Sequence, residues 1–373
     1  MVMPLKHPVA PDQLRLGRPL PWDVFDNTGQ LLLCRGYVIT RESQMQVLMA
    51  RGLYIDESLI RANPQRATPS TGYDPFRLWE HILDELGILL RTLRIEPEFL
   101  MQMSSLAKLV QTLAERSPDT ALAAMILTEQ RRYPIIHSLH TAILCELIAR
   151  RLAWDEDRRT SLCCAAMSMN LAMLDLQQLL CSQRLAPTAE QRRDIRRHPE
   201  LGAEMLASAG VTDPVWLAAV RDHHERKGGG GYPFGITAPS EEAHLIQTCD
   251  IFSAKVSPRA ARAPATAQEA ARVLFTQLDG GSPNPYAATL IKEVGIFPPG
   301  TCVNLANGET GIVLRRGPSA NTPLVMSLIN HNGLSYQNPM RRDTSLKDYE
   351  VTSVIPRDKM RVRFNPEVLW RNG

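Results

Sequence analysis

"HHERKGGGGYP", residues 223–233, places two adjacent histidines and Arg226 ahead of four glycines and closes on Tyr232-Pro233. Neutral imidazole is a common ligand for transition metals, and a glycine run has no Cβ to keep a bulky anion away from the backbone. Together they point to a metal site beside a phosphate site. The simpler competing reading is a helix end capped by two structural histidines before a surface loop. The segments on either side decide between the two.

Upstream, Asp213-Pro214 combines a capping side chain with a first-turn proline, which sends Trp216, Leu217 and Val220 toward a core and leaves His223 and His224 at the helix end. Thr188 with Gln191 three residues later fits a capping box. Pro199 reads as another first-turn proline, which predicts that His198 sits at the junction of two helices. Pro134 opens a further helix, whose apolar stripe runs through Ile136, Leu139, Ile143 and Leu147 with His137 and His140 beside it. Histidines therefore recur at helix ends and on inner faces.

A chain of 373 residues is long enough for roughly two or three domains with cores of their own. The net charge of +3 is small, and the tightest basic group, Arg192, Arg193, Arg196 and Arg197, fits a solvated helix face, so no nucleic-acid partner is expected. Seven cysteines, at 34, 145, 163, 164, 181, 249 and 302, form no CxxC pair and read as reduced and buried. The opening "MVMPLKHPVAPDQ" lacks an apolar stretch behind a basic start, and the most apolar run, 162–174, is shorter than the roughly 20 residues that cross a bilayer. These features predict a cytoplasmic protein without a membrane partner.

Residues 1–60 read as a small module in which two apolar runs of "PLPWDVFDNTGQLLLCRGYVIT" flank the turn signal Asp26-Asn27-Thr28-Gly29, with a helical stretch to Arg51. Residues 61–75 read as a linker, 76–130 as a helical connector and 131–296 as the main helical domain. From 297 to 373 the pattern turns to short alternating runs between Gly, Asn and Pro, with strands to about 356. The expected fold class is mainly α, a helical bundle flanked by a small N-terminal α+β module and a small C-terminal β-rich appendage.

Four segments carry a resemblance: "HSLHTA" (137–142), "RRHPELGAEML" (196–206), 223–233 and "HLIQTCDIFSAKVSPR" (244–259). Their order and spacing are similar to those of HD-GYP domains, HD phosphohydrolases that hydrolyse cyclic di-GMP at a site with two or three metals. The resemblance covers about 130–296 and implies the HD-type bundle. It assigns metal-ligand positions to His137, His198, His223, His224 and Asp250, and nucleotide or partner contacts to Arg226, Gly229, Gly231, Tyr232 and Pro233.

The departures are as informative. Where the family has its His-Asp pair, "AAMSMNLA" (165–172) supplies Met169 and Asn170, with Ala172 in place of a glycine. A family lysine falls at Met173, the loop aspartate at Gly228, a late family position at Ser253, and the glutamate of trinuclear members at Tyr133. Iron and manganese prefer carboxylate and imidazole to amide or thioether, so the expected cofactor is one divalent metal, Fe or Mn, and not a binuclear pair. Lowering the pKa of bound water from about 15.7 to about 7 is what gives such sites their nucleophile, and that capacity is weakened here. Met167, Met169 and Met173 read as core filler. Three functional readings stand: a receptor for cyclic di-GMP or docking module for signalling proteins such as diguanylate cyclase domains; a divergent metal-dependent phosphodiesterase in which Asn170 offers its carbonyl oxygen; and a scaffold whose flanks carry the interactions.

Overall fold

The computed structural model describes four short strands within residues 1–72, at 6–8, 24–25, 31–33 and 54–56, and then residues 73–371 apart from 94–96, 129–131, 261–262, 278–282, 361 and 363. The chain divides into two compact units, Met1–Asp74 and Pro75–Gly373. In the first, β1 (Lys6–Pro8), β2 (Val24–Phe25), β3 (Leu31–Leu33) and β4 (Tyr54–Asp56) form an antiparallel sheet in the order β1-β4-β2-β3. β2 and β3 flank the turn signal at 26–29, with Val24 opposite Leu33 and Phe25 opposite Leu31. The expected helix to Arg51 and most of the 61–75 stretch lie outside the described residues.

The second unit opens with α1 (Pro75–Arg91), α2 (Pro97–Arg116) and α3 (Pro118–Leu127), each beginning on a proline, where the missing N–H costs nothing. α4 (Tyr133–Arg151), α5 (Glu156–Ser168), a single 3-10 turn (Leu171–Met173) and α6 (Leu174–Ser182) follow. α7 (Ala189–Ser208), α8 (Pro214–Asp222), α9 (Glu241–Val256), α10 (Ala267–Gln277) and α11 (Ala287–Val294) complete the bundle. α4 departs from the expected stripe: its residues from Tyr133 to Ala149 are all buried. It touches α1, α2, α5, α6, α9 and α11, and a helix surrounded on every side has no polar face to keep. Fully buried side chains on it, such as Leu139 and Ile143, each contribute about 1.5–3 kcal/mol of apolar burial.

The C-terminal strands β5 (Cys302–Leu305), β6 (Thr310–Arg315), β7 (Leu324–Ile329), β8 (Ser335–Asp343) and β9 (Val351–Ile355) form one antiparallel sheet in the order β8-β7-β6-β5-β9. Alternation gives the sheet two apolar faces. Val303, Leu305, Val313 and Val325 cluster on one, while Ile312, Leu314, Met326 and Leu328 pack against Ala123 and Leu127 of α3 and Leu369 of α12 (Pro366–Arg371). That second cluster fastens the sheet to the helices. Among the described residues, no helix is long and apolar enough to cross a membrane.

Candidate metal centre

The capping box forms as the spacing predicts: Gln191 N donates to Thr188 Oγ1 at 3.2 Å, and Thr188 N to Gln191 Oε1 at 2.9 Å. α7 then runs unbroken through Pro199, so His198 lies inside a helix and not at a junction, which corrects the sequence reading. In an α-helix the N–H of residue 199 would bond the carbonyl of residue 195, but proline has no N–H, and the Ile195 carbonyl is left open. His198 Nδ1 donates to it at 2.6 Å. That bond puts the ring proton on Nδ1 and the lone pair on Nε2.

His223 is held by the same chemistry at a different kind of helix defect. α8 starts where Asp213 Oδ1 accepts from the N–H groups of Val215 and Trp216, at 2.9 and 3.2 Å, and its last carbonyls have no helical donor. One of these, Val220 O, accepts from His223 Nδ1 at 2.7 Å. The two Nε2 atoms, both with lone pairs outward, then face each other at 3.2 Å. Burial, followed by the neighbouring imidazole, pushes His198 down to about 3, and burial lowers His223 as well, so neither takes up a proton to relieve the repulsion. His224 completes the group, its ring centroid 4.1 Å from that of His223 and 5.1 Å from that of His198. Burial and then its two histidine neighbours hold it neutral too.

One ligating nitrogen from each of His198, His223 and His224 lies within 4.8 Å of the others. Three neutral imidazoles whose ligating nitrogens come this close are a donor set suited to a transition metal, and a cation between them would turn the repulsion of the facing His198 and His223 lone pairs into coordination. The arrangement therefore fits a single metal ion.

His137 and Asp250, the other two expected ligands, pair with each other: His137 Nε2 donates to Asp250 Oδ1 at 2.6 Å. Ser253 Oγ lies 3.2 Å from His137 Nδ1, which accepts from it. Burial alone would raise the Asp250 carboxyl, but the hydrogen bond it accepts from His137 holds it well below the usual carboxylate range. Tyr133 stacks on His137 with centroids 5.4 Å apart, and its hydroxyl accepts from Arg259 Nε at 3.1 Å and Nη2 at 2.5 Å. The five expected positions thus divide into three converging imidazoles and an adjacent closed pair.

The glycine loop is shaped by two separate demands. Gly228, Gly229 and Gly230 have φ of +86°, +95° and +79°, a region that side chains with a Cβ avoid. At Gly231 the demand is space: a Cβ there would lie 2.5 Å from Arg226 N and from Glu225 Cα. Glu225, fully buried, secures the far side, its Oε1 accepting from Phe234 N at 2.6 Å and Gly235 N at 2.9 Å. Gln247 on α9 donates to the Glu225 carbonyl. Tyr232 N donates to His224 O at 3.2 Å, its ring stacks on His224 at 4.6 Å, and the Arg196 guanidinium lies 5.4 Å from that ring. Pro233 follows through a cis peptide, and Arg226 is exposed at the rim. The roles of Glu225, Ser253 and Arg259 were not expected from sequence, although Glu225 lies within the quoted stretch.

A family model for the HD domain matches residues 94–279. The chain is 29 % identical over 213 residues to the cyclic di-GMP phosphodiesterase PA4108 of Pseudomonas aeruginosa, a match covering 56 % of this chain and 51 % of that protein. It is 25 % identical over 207 residues to the cyclic di-GMP phosphodiesterase response regulator RpfG of Xanthomonas campestris, covering 50 % and 54 %. The chain thus spans about half the length of these curated relatives. Among solved structures, Bd1817, a HDG"Y"P protein from Bdellovibrio bacteriovorus, shares the fold with a TM-score of 0.53 at 15 % identity, over 77 % of this chain and 98 % of that one. The chain is an HD-domain protein of the HD-GYP type.

Met169 and Asn170, where the resemblance leads one to expect the family's His-Asp pair, lie in packed interior. Met169 is fully buried and Asn170 nearly so, and Met167 and Met169 belong to the main apolar core. The preceding Ser168 Oγ accepts from Trp216 Nε1 at 2.8 Å and donates to Cys164 O at 2.7 Å. Asn170 begins the 3-10 turn without a capping bond from its side chain, while its carbonyl accepts from Met173 N at 2.9 Å. The segment still borders α7, with the Met169 carbonyl 3.7 Å from where a Cβ on Gly202 would lie.

Proposed function

We propose that this HD-GYP-type chain is a cyclic di-GMP signalling protein that binds the dinucleotide at the histidine cluster and the 226–233 loop while hydrolysing it inefficiently. One observation carries the reading: His198, His223 and His224 converge in a metal-binding arrangement, whereas Met169 and Asn170, which we align with the family's His-Asp pair, are buried in the interior. A metal held by the three imidazoles would supply a Lewis-acid seat for one phosphate oxygen. Arg226, exposed at the rim, offers a guanidinium to a second oxygen, and Gly229 and Gly231 let the loop backbone come close. Asp250 accepts from His137 and so orients that imidazole beside the cluster. The Tyr232-Pro233 turn is a docking element for a signalling partner of the diguanylate cyclase kind.

Turnover is the competing reading, supported by the His137–Asp250 pair beside the cluster, a hydrogen-bonded couple suited to proton transfer. Equilibrium dialysis of cyclic di-GMP against the full chain with Mn supplied, followed by chromatography of the nucleotide, separates the two. Intact nucleotide retained by the protein and lost in His223→Ala supports the receptor. Linear dinucleotide or GMP formed in proportion to protein, and absent with His223→Ala, sinks the non-catalytic part of the proposal.

A further inference from the structure

Away from the histidines, a cavity of about 300 Å³ opens between the helical bundle and the C-terminal sheet. Three cations from three elements border it: Arg151 ends α4, Lys292 lies on α11, and Arg316 follows β6. Glu293 sets the two guanidiniums side by side, pairing with Arg151 Nη1 at 3.3 Å and with Arg316 Nη1 at 3.1 Å. Arg316 Nε also donates to Asp119 Oδ1 at 2.7 Å. These contacts use only part of the five N–H donors on each guanidinium. Lys292 has no ion-pair partner among the described residues, so three positive groups face two carboxylates, and neither carboxylate lines the cavity.

The opposite wall is apolar and fixed in shape. Phe297, Pro318 and Pro323 form it. The turn between β6 and β7 tolerates nothing larger than glycine at 317, where a Cβ would lie 1.7 Å from the Thr322 carbonyl oxygen. Ile296 N donates to Ala320 O at 3.0 Å, tying that turn to the end of the bundle. A concave, preformed site with an apolar wall and a few convergent polar groups is the usual form of a small-ligand pocket, and this volume is at the small end of their range.

We propose that this seam cavity binds a small organic phosphate monoester, with its phosphate on Arg151, Lys292 and Arg316 and its apolar body against Phe297. Three cationic donors from three elements match the three terminal oxygens of a monoester better than the two of a carboxylate, and guanidinium favours such oxygens in forked pairs. The cavity is built from Arg151, Lys292, Arg316 and Phe297 and shares no lining residue with the histidine cluster, so the two sites are separate in place.

The test is equilibrium dialysis of the full chain with phenyl phosphate, alongside inorganic phosphate and phenol. Saturable binding of phenyl phosphate is expected, with inorganic phosphate weaker and phenol unbound. Lys292→Ala should weaken it about fivefold, the cost of one exposed ion pair. Ala320→Trp, on the exposed turn, should abolish it by filling the cavity, and His223→Ala should leave it unchanged. The proposal is overturned by no saturable binding of phenyl phosphate, by phenol or inorganic phosphate binding as tightly, or by binding that survives Ala320→Trp. Binding lost in His223→Ala also overturns it, placing the anion at the histidines.

Discussion

Residues 195–233, which include the second half of α7, and residues 165–173, which border that helix, meet at the candidate site, yet they are stabilised in opposite ways. The first segment keeps polar atoms short of partners: helix carbonyls at Ile195 and Val220 are spent on orienting imidazoles, and two lone pairs are left facing at 3.2 Å. The second buries Met167 and Met169 without polar demand and adds to the core. A folded chain bears the cost of the first arrangement only through what it binds, whereas the second is stable on its own. The contrast locates ligand chemistry on the α7–α8 side and packing on the α5 side.

Met169→Asp tests the packing side most severely. An unpaired carboxylate in that fully buried position is expected to cost about 3–5 kcal/mol in urea denaturation. A loss under about 1 kcal/mol would show polar partners on that side and erase the contrast. On the ligand side, His223→Ala should lower Mn affinity at least about 100-fold by calorimetric titration, because removing a ligand costs no less than removing its outer support. The metal-free variant should be as stable as the parent or more so, since the facing lone pairs are gone, and undiminished Mn binding would break the assignment.

Acid sharpens the comparison further. His140 and His198 are pushed down to about 3 by burial, from an ordinary value of 6.5. Between those values the unfolded chain binds protons that the native state refuses. Stability is therefore full above about pH 6.5 and falls as pH drops toward about 3, by up to about 1.4 kcal/mol per unit for each group. Thermal melts across that window should show a steep decline that Mn delays, and a flat profile would contradict the buried neutral imidazoles. The smallest effect is reserved for Pro199→Ala, which returns an N–H to compete with His198 for the Ile195 carbonyl. Mn affinity should fall about tenfold with the fold intact, and no change would mean that the carbonyl does not orient the ring.

Local signals in the sequence were sufficient wherever the physics is local. The Thr188–Gln191 box, the Asp213 cap and the first-turn Pro134 each involve residues within three positions, and all three form. Pro199 misled because proline inside a helix is costly by propensity, and tertiary packing around His198 outweighed that cost. The α4 stripe was too narrow a forecast because the number of packing neighbours is not written in one helix's periodicity. Ser253 beside His137 and Arg259 on Tyr133 join residues 116 and 126 positions apart, so no window along the chain contains the pair. Glu225 was hidden differently: it reads as one charged residue in a polar loop, and only the folded loop brings Phe234 N and Gly235 N to it.

Pro199 has a practical consequence for engineering. Schemes that raise thermal tolerance by matching each position to its helical preference would select this proline early, since alanine is better there by every local criterion. The resulting protein would melt later and coordinate worse. At this position durability and metal capture are traded against each other through one main-chain oxygen, so its replacement is a direct gauge of how much stability the site forgoes.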